Sequence, residues 1–153
     1  EVLNNKLSTS GLMMIGLYSK YARKHIRNIR NEIKKLNTKI NIENIKSFRE
    51  QIINSKSNEK RLITKSTDFY TLSNIRDLLF HVQEHRFSIL KIKEYLKKLN
   101  LFFLGFEDTY VIERYKKIYS QPKDFYNLDK WEDFEKNNSR IFSGMYQFWC
   151  KKI

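Results

Sequence analysis

Cysteine, proline and glycine are all scarce in this chain: of its 153 residues one is cysteine, one is proline and four are glycine. With Cys150 as the only thiol, neither an intrachain disulfide nor a multi-cysteine zinc site can form, and a reducing, cytoplasmic setting is the natural reading. Gly11, Gly16, Gly105 and Gly144 stand too far apart for G-x-G-x-x-G or G-x-x-x-x-G-K-[ST], so no phosphate-cradling turn is present. A G-x-S-x-G nucleophile elbow is also missing. No apolar run reaches the roughly 18 residues that a membrane helix needs, and the first residues lack the basic-then-apolar order of a signal peptide. Acidic side chains are few: 17 Asp and Glu face 30 Lys and Arg, a formal charge of +13. Such a balance favours acidic partners such as nucleic acid, an anionic membrane face or an anionic cofactor. The basic residues are spread along the whole chain among many Asn and Ile, so charge alone singles out no partner.

What is present suffices for a core. Hydrophobic residues make up 41% and aromatics 14% of a chain of one-domain length. Residues 12–18, LMMIGLY, are apolar without alternation, the pattern of a strand covered on both faces in an α/β sheet. Gly11 supplies the turn before it. Ser19 is placed to cap a following helix whose inward face carries Tyr21 or Ala22, Ile26, Ile29, Ile33 and Leu36. Asn41 opens a second amphipathic helix with Ile42, Ile45, Phe48 and Ile52 at helical spacing. A polar turn at 55–58, a short helical piece at 59–65 and an irregular connector lead to a helix capped by Ser73. Ser88 caps the next helix, with Ile89, Ile92, Leu96 and Leu99 inward, and Asn100 closes it in the left-handed conformation. LFFLGFE at 101–107 is a second strand, helices are expected over 109–119 and 128–137, and GMYQFWCKK reads as a closing strand. The expectation is an α/β chain with three strands and five to seven helical pieces, too few strands for a complete doubly wound sheet. The chain starts with Glu1 rather than Met, and the missing strands are expected before it.

One pentapeptide carries a chemical signature. HVQEH at 81–85 matches H-x-x-E-H, in which His81 and His85 would bind zinc from one helix face and Glu84 would act as general base. The same residues, with Arg86, equally suit a polar rim or a hydrogen-bonded network. Basic residues interleaved with aromatics would also suit single-stranded nucleic acid, but Phe102, Phe103, Phe106, Trp131, Phe134, Phe148 and Trp149 fall in patterns that core packing explains.

Several segments taken together resemble a known family. KLSTSGLMMIGLYSKYAR is similar to the part of S-adenosylmethionine-dependent methyltransferases where a helix ends, a glycine turn follows and the fifth strand crosses the core. DFYTLSNIRDLLFHVQEHRFSILKI, LNLFFLGFE, WEDFE and FSGMYQFWCKK, in this order, resemble the C-terminal part of bacterial methyltransferases that often carry tetratricopeptide repeats upstream. The resemblance spans nearly the whole chain. It implies the C-terminal half of a Rossmann-like sheet, namely its last three strands, with a mostly helical insertion. On that division residues 1–18 are a helix end and the central strand, 19–98 a helical cover, and 99–153 the last two strands with their helices. The final strand would be antiparallel. The glycine-rich loop for S-adenosyl-L-methionine and the acidic ribose ligand would lie upstream in the same polypeptide, so the isolated chain would be inactive. Two departures stand out: Thr9, Ser10 and Gly11 replace the usual Pro-Gly-Gly, and Lys20 stands where an acidic residue is common.

Ligands of open α/β sheets sit beyond the carboxyl ends of the strands. Tyr18 and Ser19 therefore border the expected substrate cleft, and Arg23, one helical turn on, would meet either an anionic substrate group or a neighbouring carboxylate. Arg76, Asp77, His81, Gln83, Glu84, His85 and Arg86 concentrate hydrogen-bonding and acid–base capacity in an otherwise apolar region. Asp77, Gln83 and Arg86 are substrate-side candidates; His81, Glu84 and His85 are candidate bases for a methyl acceptor that must lose a proton. The alternative is a buried network fixing the insertion to the sheet. The expected function is thus a methyltransferase fragment without membrane association, its acceptor unspecified. A basic nucleic-acid-binding helical module and a zinc hydrolase using H-x-x-E-H are the alternatives from other classes.

Overall fold

The computed structural model describes residues 2–37, 39–80 and 83–153. Among them run, in order, α1 (Val2–Lys6), β1 (Leu12–Ser19), α2 (Lys24–Lys35), α3 (Ile42–Ile53), α4 (Asn58–Ile63), α5 (Leu72–Phe80), β2 (Arg86–Phe87), α6 (Ile89–Lys98), β3 (Leu101–Phe106), α7 (Thr109–Lys116), α8 (Leu128–Asn137) and β4 (Tyr146–Lys152). Short 3-10 turns occupy Thr67–Phe69 and Pro122–Tyr126. The fold is α/β. Among the described residues no helix is long and apolar enough to cross a membrane. Two compact units form, one from the residues up to Ala22 together with His85–Ile153, the other from Arg23–Glu84.

The first unit is a mixed four-stranded sheet in the order β2-β1-β4-β3. β4 lies between β1 and β3 and runs antiparallel to both, while β2 pairs parallel to β1 only at Tyr18 and Ser19. Alternation along β4 buries Tyr146, Phe148 and Cys150 and turns Gln147, Trp149 and Lys151 outward. The buried set joins Phe103 and Phe106 of β3, Ile89, Ile92 and Leu96 of α6, Val111 and Tyr115 of α7, and Leu128, Trp131 and Phe134 of α8 in one core. The helices of this core cover a single face. On the other, Leu12, Met14, Phe102 and Trp149 remain exposed, and strand register sets Met14 beside Trp149 and both Leu12 and Phe102 beside Lys151. Phe102 and Trp149, expected in the core, are therefore exposed: alternation assigns each to the face opposite this core.

The second unit is helical. Ile26, Ile29 and Ile33 of α2, Ile45, Phe48 and Ile52 of α3, Ile63 of α4 and Ile75, Leu78, Leu79 and Phe80 of α5 form a separate apolar cluster with Phe69. Local signals in the sequence account for most element boundaries. Asn41 caps α3 by accepting from the Asn44 amide, Ser88 caps α6 by accepting from the Lys91 amide, and Asn100 takes φ 52°. Three details differ. A turn separates Ser19 from α2, so the Ser19 hydroxyl caps that turn rather than the helix. Thr71, not Ser73, accepts at the start of α5, from the Asn74 amide. Leu36, expected inward, is exposed just past the end of α2, where no further turn continues the stripe. The helical unit spans Arg23–Glu84, while β2 and α6 belong to the sheet unit, where α6 packs on β3 and α8.

Candidate functional site

The carboxyl end of β1 is the most polar part of the sheet unit's interior. There the strand leaves through Tyr18 and Ser19, and Lys20 donates its amide to the Phe87 carbonyl at 2.7 Å, which extends the two-residue pairing with β2. Ser19 is fully buried. Its Oγ accepts from the Tyr21 and Ala22 amides at 3.1 and 3.0 Å and donates to Glu135 Oε1 at 2.5 Å. Tyr146, from β4, donates to Glu135 Oε2 at 2.6 Å, with the Phe87 carbonyl as a second acceptor at 3.3 Å. One turn back on α8, Glu132 Oε1 accepts from the Tyr21 hydroxyl at 2.6 Å and Oε2 from the Leu90 amide at 3.1 Å.

Two carboxylates three residues apart in α8 are thus buried at one strand end and satisfied by hydroxyls and a main-chain amide. Lys136 is the one cation within 4 Å of either among the described residues, at 3.9 Å from Glu132. Burial pushes the Glu135 carboxyl up to about 7 against the hydrogen bonds from Ser19 and Tyr146, with repulsion from Glu132 adding to the rise. The hydrogen bond to Glu132, with burial and the charge of that carboxylate, pushes the Tyr21 phenol up to about 12. Burial, followed by the Glu135 charge and hydrogen bond, raises Tyr146 further still. Chemically the cluster can hold and release one proton near neutrality while fixing the backbone that leaves β1. The hydroxyl of Ser19, shared among three hydrogen bonds, is a structural group and not a nucleophile.

In the helical unit the polar centre is Glu84. Arg23 forks onto it, Nη2 to Oε2 at 2.5 Å and Nε to Oε1 at 3.4 Å, and Arg30 Nη2 reaches the same Oε2 at 3.1 Å. Arg30 also donates to the carbonyls of Leu78 and Asp77 at 2.9 and 3.2 Å, closing the last turn of α5. Arg23 thus has a carboxylate partner in Glu84. Glu84, with side-chain exposure of 5%, accepts from two guanidiniums, an arrangement suited to anchoring.

The other sequence candidates are distributed as follows. Tyr18 and Arg86 are register partners across β1 and β2. Asp77 is exposed and meets Arg30 through its main chain, while Gln83 and His85 are exposed. His81 lies outside the described residues. Arg76 lines a surface groove of about 640 Å³ with Glu43, Ile42 and Leu72. Among the described residues no three His, Cys, Asp or Glu side chains gather as a metal site would require. Glu132, Glu135, Tyr21, Tyr146 and Arg30 belong to these buried polar clusters and are not among the sequence candidates. A signal does exist for three of them: Glu132 and Glu135 share the stripe of Leu128 and Trp131 on α8, and Arg30 interrupts the isoleucine stripe of α2. A charge on an apolar stripe needs a partner inside.

No protein-family model matches the chain, and no curated protein matches it.

Proposed function

We propose that this chain supplies the C-terminal strands and substrate-side helices of an S-adenosylmethionine-dependent methyltransferase. The observation that carries the reading is the strand order: β4 is last in the chain yet inserts between β1 and β3, antiparallel to both. The resemblance implies an antiparallel final strand, and β4 in this position suits the usual order of the last three strands of a Rossmann-like methyltransferase sheet. Two further features support it. β1 is apolar on both faces yet covered on one, and among the described residues its edge over Leu12–Leu17 away from β4 has no strand partner. An apolar face and an open edge of this kind suit a sheet completed by further strands and helices, which the reading assigns to upstream residues that also carry the cofactor loop.

Within this proposal the carboxyl end of β1 borders the cleft. Methyl transfer is an in-line attack on a sulfonium methyl, so alignment of donor and acceptor does most of the work. Glu135 and Ser19 hold the turn that lines that end, and Arg23 with Glu84 fixes the start of the helical unit. His85, exposed at the junction before β2, and His81 remain the candidate bases if the acceptor must lose a proton. Calorimetric titration of S-adenosylhomocysteine into this chain, and into a version extended upstream by about half a domain, tests the reading. Binding to the extended version alone supports it. Failure of a folded extended version to bind overturns it.

A further inference from the structure

We propose that Glu135 is a proton-operated latch on the segment that leaves β1, holding the turn at Ser19–Ala22 and strand β2 closed when protonated and loosening them when ionised. The latch rests on the geometry of the sheet unit and is independent of any methyltransferase reading.

The groups linked through Glu135 and its partner Tyr146 come from different elements. Ser19 ends β1, Tyr146 begins β4, Phe87 belongs to β2, and Glu135 itself sits on α8 with no exposed surface. The titratable groups around the cluster are Tyr146 from β4, Tyr21 from the turn, and Glu132 and Lys136 from α8. Lys136 approaches Glu132, and none of these groups gives Glu135 a positive partner. A lone ionised carboxylate in such a place is costly, because only two hydroxyls replace its water.

Tyr146 provides the two positions of the latch, since its single proton has two acceptors, Glu135 Oε2 at 2.6 Å and the Phe87 carbonyl at 3.3 Å. When Glu135 is protonated, its own hydroxyl donates to Tyr146 Oη and frees the Tyr146 proton for Phe87. That closes a chain from α8 through β4 to β2. When Glu135 is ionised, it draws the Tyr146 proton back to itself, Phe87 loses that donor, and an uncompensated charge is left at the end of β1. Lys20, whose amide donates to the same Phe87 carbonyl at 2.7 Å, reports directly on whether this end is closed.

Linkage sets the sign. Glu135 binds its proton more tightly when closed than when exposed, so opening becomes easier as pH rises from its ordinary value of 4.5 to about 7, and levels off above. The test is amide hydrogen exchange of Lys20 on the whole chain across that range, corrected for the intrinsic rate. Protection is expected to fall by up to about tenfold per pH unit and then level. Glu135→Gln mimics the protonated acid, because its amide nitrogen can donate to Tyr146 while its oxygen accepts from Ser19; its protection should show no such slope. A wild-type protection without pH dependence, or the same dependence in the glutamine variant, overturns the proposal. Carbon NMR of the Glu135 carboxyl provides a second reading that needs no variant. A midpoint near 7 supports the latch, and one near the ordinary value overturns it. Tyr146→Phe, which removes a donor to the ionised form, should move that midpoint upward; an unmoved midpoint counts against the role given to Tyr146.

Discussion

Arg30 donates from Nε to the main-chain carbonyl of Leu78 at 2.9 Å, across 48 residues of chain. The same guanidinium holds Asp77 O and Glu84, so one side chain both closes the last turn of α5 and anchors the carboxylate beyond it. Arg30→Ala would leave two carbonyls without this donor and remove one guanidinium from Glu84. It should cost the helical unit about 3 kcal/mol. Arg30→Lys should recover little of that, since an ammonium cannot span the fork. Urea unfolding followed by circular dichroism would measure both.

Trp131 lies flat against Tyr115, with ring centroids 3.5 Å apart and planes 10° from parallel, and its indole N–H donates to Phe125 O at 2.8 Å. It is fully buried and touches several rings of the sheet unit's core. Trp131→Ala should therefore cost about 3–5 kcal/mol, while Trp131→Phe loses the hydrogen bond and part of the stack and should cost less. The two unfolding midpoints, compared with wild type, check the order.

Gly105 sits at the irregularity in the β3–β4 pairing with φ +141°, and a Cβ there would meet Phe125 Cε1 at 2.6 Å. Backbone strain and the displaced ring act together. Gly105→Ala should destabilise by about 2 kcal/mol or more, whereas Gly144→Ala, where a Cβ meets nothing within 4 Å, should be nearly neutral. Thermal melts of the pair make the comparison internal.

Stability should fall as pH rises through the range set by Glu135. Its carboxyl stands at about 7 in the folded protein against an ordinary 4.5. The folded state therefore binds the extra proton, and its contribution is complete below 4.5 and lost by about 7. A rise of that size corresponds to roughly 3 kcal/mol. The difference in unfolding free energy between wild type and Glu135→Gln, followed across this range, should change in that direction; a constant difference would contradict it.

Cys150 is fully buried in β4 beside Met13 O, and burial raises its thiol above the ordinary range. An aromatic disulfide reagent should label it at the rate of unfolding, in step with added denaturant. Rapid labelling of the folded protein would show that the strand opens locally.

The two carboxylates of α8 mark the limit of local sequence patterns. WEDFE has the spacing of an amphipathic helix, and the helix is there from Leu128 to Asn137 as expected. The same spacing puts Glu132 and Glu135 on the stripe of Leu128 and Trp131 but does not name their partners, since Tyr21 and Ser19 lie 111 and 116 residues away. Nothing in a local window assigns a buried acid its donor. Arg23 shows the converse: a neighbouring carboxylate is one of the two partners its position suggests, and Glu84 fills that place from 61 residues along the chain. β2 escapes detection because two residues carry no periodicity.

What the sequence determined alone is whatever a few neighbouring residues decide: helix caps at Asn41 and Ser88, the left-handed Asn100, the isoleucine stripes of α2 and α3, and the apolar run of β1. These depend on hydrogen bonds and spacings within one or two turns of chain. Tertiary structure decided the rest. It chose the insertion of β4 between β1 and β3, and therefore which face of each strand received helices and which left Phe102 and Trp149 in water. It also brought Ser19, Tyr146 and Glu135 together, because a charge removed from water must find its donors wherever the fold carries them.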